Sequence, residues 1–178
     1  RKVMVLIDGK KVSAEIRSRL EQETAELKTK TGRTPGLATV LVGEDSASAV
    51  YVRNKNKICH EVGSQSFGKN LPAETTEEEL LSIIKQLNSN DEVNGILVQL
   101  PLPDHIDSEK ILLSIDPEKD VDGFHPINVG KLAIGNALLT PCTPTGIIAL
   151  LDYYKIEIPG KHAVILGRSN IVGKPVAH

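Results

Sequence analysis

The chain has 178 residues, of which 40% are apolar and 25% are charged, and its formal net charge is −2 at pH 7. That composition is typical of a globular domain with enough apolar residues to build a core, and it argues against intrinsic disorder. The near-neutral charge, with two Phe, three Tyr and no Trp, also argues against a nucleic-acid partner, which needs basic groups for phosphates and aromatic rings for bases.

The two cysteines and five histidines show no spacing typical of a metal site. We expect Cys59 and Cys142 to be reduced thiols of a cytoplasmic protein, with no metal. The longest apolar run, 147–151, is far shorter than the roughly 20 residues that cross a bilayer, which predicts no membrane segment. Because the chain starts at Arg1 instead of Met, we expect a processed or cut start, and a removed organelle presequence, for example mitochondrial, stays open.

Up to residue 99, predicted strands and helices alternate. The predicted strands cover residues 3–7, 37–42, 65–69 and 95–99. The predicted helices cover residues 12–30, residues 47–62 and a segment that follows a capping box of Thr75 and Glu78. Such alternation predicts βαβ units, a mostly parallel sheet and an α/β fold.

From Pro101 onward the sequence is rich in proline, which predicts a loop-rich connection. The elements predicted after that are a short helix at 108–115, a helix at 146–155, a turn at Pro159-Gly160 and a strand at 163–166 that runs into Gly167. We therefore expect a boundary near Thr143, with one domain at 1–143 and the start of another at 144–178.

Tyr51 and Lys55 lie four residues apart on a predicted helix and therefore share one face. A lysine that is partly removed from water has a lowered pKa and can exchange a proton near neutral pH. The pair is a candidate catalytic site, and the alternative is an exposed lysine beside a half-buried tyrosine. Short-chain dehydrogenases also contain YxxxK, but their glycine-rich loop comes first, so the reversed order here argues against that class.

Gln99 ends an otherwise apolar strand in the segment VQLPLP. Ligands of open α/β sheets bind beyond the carboxyl ends of the strands, where an amide could hold a water, a lysine or a substrate group. The alternative is a hydrogen-bonded amide with no further role. Pro101 fixes the loop that follows.

The segment KDVDGFHP places Asp120, Asp122 and His125 around a glycine. A carboxylate there could accept two parallel hydrogen bonds from a flat heterocycle that presents a ring N–H beside an amino group. The alternative is that both aspartates only form the turn.

GRSNIVGKP follows a predicted strand and opens a predicted helix, as phosphate-binding loops do. Its spacing departs from GxGxxG, because Ser169 replaces the second glycine and Gly173 comes one residue late. Arg168 could bind a ribose 2′-phosphate, which favours NADP over NAD. A purely structural turn is the alternative.

Five segments occur in order along essentially the whole chain: YVRNKNKIC, GILVQLPLP, KDVDGFHP, PCTPTG and GRSNIVGKP. Together they closely resemble the methylenetetrahydrofolate dehydrogenase/methenyltetrahydrofolate cyclohydrolase family. The resemblance implies NADP-dependent oxidation of 5,10-methylenetetrahydrofolate and hydrolysis of the methenyl product to 10-formyltetrahydrofolate. It also implies a homodimer, a folate-binding catalytic domain at 1–143 and the beginning of a Rossmann-like domain at 144–178.

The resemblance implies roles for single residues as well. Lys55 is expected to be the acid/base residue, with Gln99 bonded to it and Ser48 supporting its surroundings. Tyr51 is expected to pack on the aminobenzoyl ring of folate, and Asp122 to hold the pterin edge. Because both Lys55 and Gln99 are present, the bifunctional enzyme is favoured over a relative with dehydrogenase activity alone.

The remaining implied roles concern loops and the cofactor. Pro101 and Asp120 are expected to shape loops, and Thr143 to touch the nicotinamide end. The residues expected to bind the cofactor phosphates are Gly167, Arg168, Ser169 and Gly173.

Two other hypotheses stay open at the level of sequence. Because the chain ends at His178, soon after the glycine loop, we expect an incomplete cofactor domain, and a folate-binding fragment without redox activity is the first alternative. The second is an unrelated nicotinamide dehydrogenase that happens to carry GRSNIVGKP.

Overall fold

The computed structural model describes residues 4–178, which form a four-stranded sheet and seven helices. In chain order the elements are α1 (Gly9–Thr31), β1 (Gly36–Val42), α2 (Ser46–Glu61), β2 (Gln65–Ser66), β3 (Lys69–Leu71), α3 (Glu77–Asn88), β4 (Gly95–Val98), α4 (Ser108–Ser114), α5 (Pro126–Ala133), α6 (Cys142–Tyr153) and α7 (Gly173–Ala177). Among these residues no helix is both long and apolar enough to cross a membrane.

The sheet is parallel throughout and is organised around β1. Strand β2 pairs with the start of β1 and β3 with its end, while β4 pairs with β1 from Leu37↔Gly95 to Val40↔Val98. The predicted α/β fold with a parallel sheet is therefore confirmed. Parallel strands covered by helices are buried on both faces, which explains why β1 and β4 are almost entirely apolar.

The core lies between the sheet and helices α3 and α4. Val40 and Ile96 of the sheet pack with Leu80 and Ile84 of α3 and Ile111 of α4, and all five are fully buried. Burying an aliphatic side chain of this size contributes about 1.5–3 kcal/mol, so this cluster holds the sheet against its helices.

Two predicted strands are wrong within the described residues. In the first, at 3–7, residue 3 lies outside them, and residues 4–7 form no strand, with Met4 89% and Leu6 75% exposed. In the second, at 163–166, Leu166 is 97% exposed. Both segments have the apolar composition of a strand, but no strand within residues 4–178 pairs with them, and ladder hydrogen bonds need a partner.

Two other predictions need smaller corrections. The capping box is formed by Thr76 and Glu79 in place of Thr75 and Glu78, because Thr76 Oγ1 accepts from Glu79 N (3.2 Å) and Glu79 Oε2 accepts from Thr76 N (2.8 Å). The single strand predicted at 65–69 is divided into β2 and β3, which pair with different parts of β1.

The loop-rich stretch contains a helix that the sequence analysis missed. Helix α5 starts with Pro126 in its first turn, and the His125 ring Nδ1 accepts from Ile127 N (3.2 Å). Helix α6 begins at Cys142, earlier than the predicted residue 146. Thr143 therefore lies in the first turn of α6, and the domain boundary near it stays a prediction.

Lys119 joins the end of α3 to the segment beside β4. Its Nζ donates to the carbonyl oxygens of Asn88 (2.7 Å) and Asn90 (2.9 Å), and its own carbonyl accepts from Ile96 N (2.7 Å). A charged donor on carbonyls at a helix C-terminus is stabilised both by hydrogen bonding and by the helix dipole.

We expect Lys119→Met to lower the free energy of unfolding by about 1–2 kcal/mol, because these carbonyls lose a charged donor. Urea denaturation measures this change. Lys85→Met is the matched control, since Lys85 is an exposed lysine in the last turn of the same helix, and its effect should stay within about 0.5 kcal/mol. Equal effects of the two substitutions would show that the contacts of Lys119 are not important for stability.

Candidate active site

Helix α2 carries Lys55 to the carboxyl edge of the sheet. The helix starts where Asp45 Oδ2 accepts from Ser48 N (2.7 Å), and hydrogen bonds from Ser48 lower the pKa of Asp45. Ser48 is buried at 4% exposure, whereas Tyr51, one turn before Lys55, is 63% exposed. The predicted helical face therefore exists, with the tyrosine ring accessible.

Gln99 directly follows β4 and meets Lys55. Lys55 Nζ donates to Gln99 Oε1 at 3.1 Å. The side-chain amide is also held at its nitrogen, because Gln99 Nε2 donates to Leu100 O (2.8 Å). The backbone of Gln99 is fixed separately, because its N–H donates to Val40 O (2.8 Å). The peptide bond between Leu100 and Pro101 is cis. The bond from Gln99 Nε2 to Leu100 O leaves the amide oxygen facing Lys55.

Asp122 lies near the same lysine. It belongs to the loop that follows Asp120, and Asp120 is bridged to Ile96 of β4. Partial burial raises the pKa of Asp122 to about 6, the positive charge of Lys55 opposes that rise, and the negative charge of Asp120 adds to it. Lys55 thus interacts with both Gln99 and Asp122, three residues that are far apart in sequence and that the sequence analysis proposed separately.

Cys142 is a neighbour of the site that the sequence analysis missed. Its Sγ lies 3.6 Å from Val121 O, and desolvation, followed by the charge of Asp122, raises the pKa of the thiol. Thr143 is exposed directly beside it. The one signal for it in the sequence is the segment PCTPTG, whose resemblance implies a role for Thr143 and none for Cys142.

The glycine loop forms a second cluster at the start of α7. Ser169 Oγ accepts from Val172 N (3.1 Å) and Gly173 N (3.2 Å). Gly167 has a φ of 146°, and a Cβ on Gly173 would lie 2.5 Å from the Gly167 carbonyl oxygen, so larger residues do not fit at 173. Arg168 is exposed.

The predicted site residues therefore fall into two groups. Within residues 4–178, no hydrogen bond joins the loop at 167–173 to Lys55, Gln99 or Asp122. No group of three or more His, Cys, Asp or Glu side chains that could hold a metal occurs in the described part of the chain.

The fold and the Lys55 cluster define the class of α/β proteins whose polar site lies beyond the carboxyl ends of parallel strands. The family profile described as tetrahydrofolate dehydrogenase/cyclohydrolase, catalytic domain, matches residues 7–122, and the profile of the corresponding NAD(P)-binding domain matches residues 141–178. The chain belongs to the tetrahydrofolate dehydrogenase/cyclohydrolase family, as the resemblance predicted.

Individual relatives agree with this assignment. The chain is 57% identical over 172 residues to the bifunctional protein FolD of Streptococcus gordonii, covering 97% of this chain and 61% of that protein. The crystal structure of the Campylobacter jejuni FolD dehydrogenase/cyclohydrolase superposes with a TM-score of 0.96 at 51% identity, covering 98% of this chain and 62% of that one.

A Trypanosoma brucei FolD structure, complexed with NADP and an inhibitor, superposes with a TM-score of 0.94 at 43% identity, covering 97% of this chain and 59% of that one. The chain thus spans about 60% of the length of the curated relatives it matches.

Proposed function

We propose that the protein is a bifunctional enzyme of one-carbon folate metabolism. It oxidises 5,10-methylenetetrahydrofolate with NADP and hydrolyses the resulting 5,10-methenyltetrahydrofolate to 10-formyltetrahydrofolate. The observation that carries this proposal is the 3.1 Å hydrogen bond between Lys55 Nζ and Gln99 Oε1, next to the partly buried Asp122. The family to which the chain belongs supports the choice of substrate.

The hydrolysis requires proton transfers at the attacking water and at N5. Water adds to the methenyl carbon between N5 and N10 and loses one proton, which gives a hydroxyl intermediate. The bond from that carbon to N5 then breaks, the hydroxyl loses its proton as the formyl C=O forms, and N5 gains a proton, so one proton is released overall. One amine that first takes and then returns a proton serves both steps. Lys55 is suited to this work, because the fixed amide of Gln99 holds its Nζ in one place.

The folate is bound by groups around that lysine. The carboxylate of Asp122 accepts hydrogen bonds from the pterin edge, which presents a ring N–H beside an amino group. The exposed ring of Tyr51 packs on the aminobenzoyl ring, one helical turn away. We assign supporting roles to the buried Ser48 and to the loop at Pro101.

The oxidation depends more on placement than on a base, because the nitrogen lone pair expels the hydride as the iminium forms. The chemistry that NADP supplies when bound is acceptance of that hydride. The loop at 167–173 is assigned to its phosphates, because it leads into helix α7 and carries the exposed side chain of Arg168. We assign Thr143, which is exposed beside Cys142, to the nicotinamide end.

We expect Arg168→Met to weaken NADP binding by about tenfold and NAD binding by less than about twofold, because the guanidinium binds the 2′-phosphate that NAD lacks. Isothermal titration calorimetry with each nucleotide measures both affinities. Lys174→Met is the control, since Lys174 lies in the first turn of α7 beside the same loop but bonds to Asn170 Oδ1 (2.7 Å). Equal losses for NADP and NAD would contradict the assignment of Arg168.

The complete reaction is tested with the protein, 5,10-methylenetetrahydrofolate and NADP. We expect NADPH to form together with 10-formyltetrahydrofolate, followed by absorbance and by chromatography. Saturable binding of the folate without either product would contradict the bifunctional proposal and favour a folate-binding protein.

We also infer a homodimer in the cytoplasm. Ile134 and Leu138 are each 78% exposed, an apolar surface that a second copy could cover, and Cys59 and Cys142 form no disulfide. Light scattering after gel filtration tests the first inference, with a monomer mass as the contradicting result. Fractionation of the cells that contain the protein tests the second.

A further inference from the structure

The loop that carries Asp122 is closed by a second aspartate. Asp120 is buried at 2% exposure, and its Oδ2 accepts from the backbone N–H of His125 at 2.8 Å. The carbonyl of Asp120 also accepts from Gly123 N (3.2 Å). These two hydrogen bonds to Asp120 close residues 120–125 into a compact loop that contains Asp122.

Asn128 of α5 completes this arrangement from outside the loop. Its Nδ2 donates to the same Asp120 Oδ2 at 2.9 Å and to Pro117 O at 2.9 Å, and it is buried at 2% exposure. Because buried donors need partners, the three groups fix one another's positions. Asp120 is also bridged to Ile96 of β4, so the loop is tied to the sheet as well.

We propose that Asp120 and Asn128 are positioning residues for Asp122: the bond between them clamps the loop so that the Asp122 carboxylate faces the folate site beside Lys55. This inference deepens the proposed function and rests on it for the identity of the ligand. It adds a helix, α5, to the parts of the molecule that determine substrate affinity.

The chemistry of Asp120 suggests a second effect of the clamp. An amide oxygen could accept the same two hydrogen bonds, so the geometry alone does not require a carboxylate. The charge acts on Asp122, which also faces Lys55 from α2 and the Cys142 thiol from α6. The negative charge of Asp120 adds to the burial that raises the pKa of Asp122. Geometry and charge can therefore be separated by experiment.

The variants are Asp120→Asn, Asp120→Ala and Asn128→Ala. Asp120→Asn keeps an acceptor and removes the charge, whereas each alanine removes the clamp. Asn88→Ala is the matched control, because it also removes two side-chain hydrogen bonds but outside residues 120–125. Asn88 Nδ2 donates to Ser114 O (2.8 Å), and Asn88 Oδ1 accepts from Asp116 N (3.0 Å).

With 5,10-methenyltetrahydrofolate as substrate, we expect Asp120→Ala and Asn128→Ala each to raise KM by about tenfold with kcat changed by less than about twofold, because the binding group is misplaced and the lysine is untouched. Asp120→Asn should keep most of the affinity of the unaltered protein, and Asn88→Ala should leave KM unchanged. An equal rise of KM in Asn88→Ala would overturn the clamp as a specific device.

A second measurement needs no substrate and no alanine variant. The carbon-13 signal of the Asp122 carboxyl is followed by NMR as a function of pH in the unaltered protein and in Asp120→Asn. We expect a midpoint near pH 6 in the former and a lower midpoint in the latter. Identical midpoints would overturn the effect of the charge. Failure of the unaltered protein to bind or hydrolyse the folate would instead refute the proposed function.

Discussion

Replacing Lys55 by methionine is expected to slow hydrolysis of 5,10-methenyltetrahydrofolate by about 100-fold or more, the usual contribution of a positioned acid/base group. Methionine has a similar length and no exchangeable proton, so the space that Lys55 fills stays occupied while the proton carrier is lost. Gln99 also loses the donor that its Oε1 accepts from at 3.1 Å. Stopped-flow or steady-state absorbance measurements with no nicotinamide present give the rate.

Lys57→Met is the matched control for this result. Lys57 lies two residues further along α2, is 74% exposed and pairs with Glu61 at 3.7 Å. Its loss should leave hydrolysis within about twofold, since an exposed ion pair of this kind contributes little. If Lys55→Met retained the rate of the unaltered protein, Lys55 would not be the proton carrier.

Replacing Asp122 by asparagine is expected to weaken folate binding and to stabilise the protein above pH 6. The binding loss should be about 10- to 100-fold, because an amide cannot give two charge-assisted acceptors to the pterin edge. Calorimetry measures that affinity.

The stability gain follows from the pKa of Asp122, which is raised to about 6 from the ordinary value of 3.8. Between pH 3.8 and 6 the folded state keeps a proton that the unfolded state has lost, so the unaltered protein loses stability as the pH rises through this range. Asparagine carries no charge and avoids that loss. The difference in free energy of unfolding between the variant and the unaltered protein should therefore be about 2–3 kcal/mol more favourable to the variant at pH 8 than at pH 4.

Urea denaturation at both pH values measures this difference, and Asp104→Asn in an exposed loop is the control, for which no such gain is expected. Parallel pH profiles for Asp122→Asn and the unaltered protein would show that burial does not disfavour the charge. The Asp122 carboxylate thus lowers the stability of the free protein, and such a loss is expected where a charged group is placed for a ligand.

The sequence predicted those elements whose signal is local. Alternating apolar runs and helical spacing gave the parallel α/β arrangement, and β1 and α2 are within one residue of their predicted limits. The strands predicted at 4–7, the described part of the first apolar run, and at 163–166 are wrong, because composition shows that a segment is apolar and not whether a neighbour will pair with it. Helix α5 was missed because its one proline, Pro126, resembles a loop residue, although it stands in the first turn, where proline is favoured.

The site shows the same division. The spacing of Tyr51 and Lys55, and the position of Gln99 at a strand end, follow from helix and sheet geometry. The bond between Lys55 and Gln99, which are 44 residues apart, follows only from the packing of α2 on the sheet. Nothing local predicted that Asn128 would contact Asp120, or that the Cys142 thiol would lie beside Asp122.

The central claim is that the cluster of Lys55, Gln99 and Asp122 hydrolyses a methenyl folate. It is tested most directly by the rate at which the unaltered protein removes the near-ultraviolet absorbance of 5,10-methenyltetrahydrofolate in the absence of any nicotinamide. We expect hydrolysis well above the rate in buffer, saturable with substrate. A rate equal to that in buffer, at protein concentrations where calorimetry shows the folate to be bound, would contradict the claim.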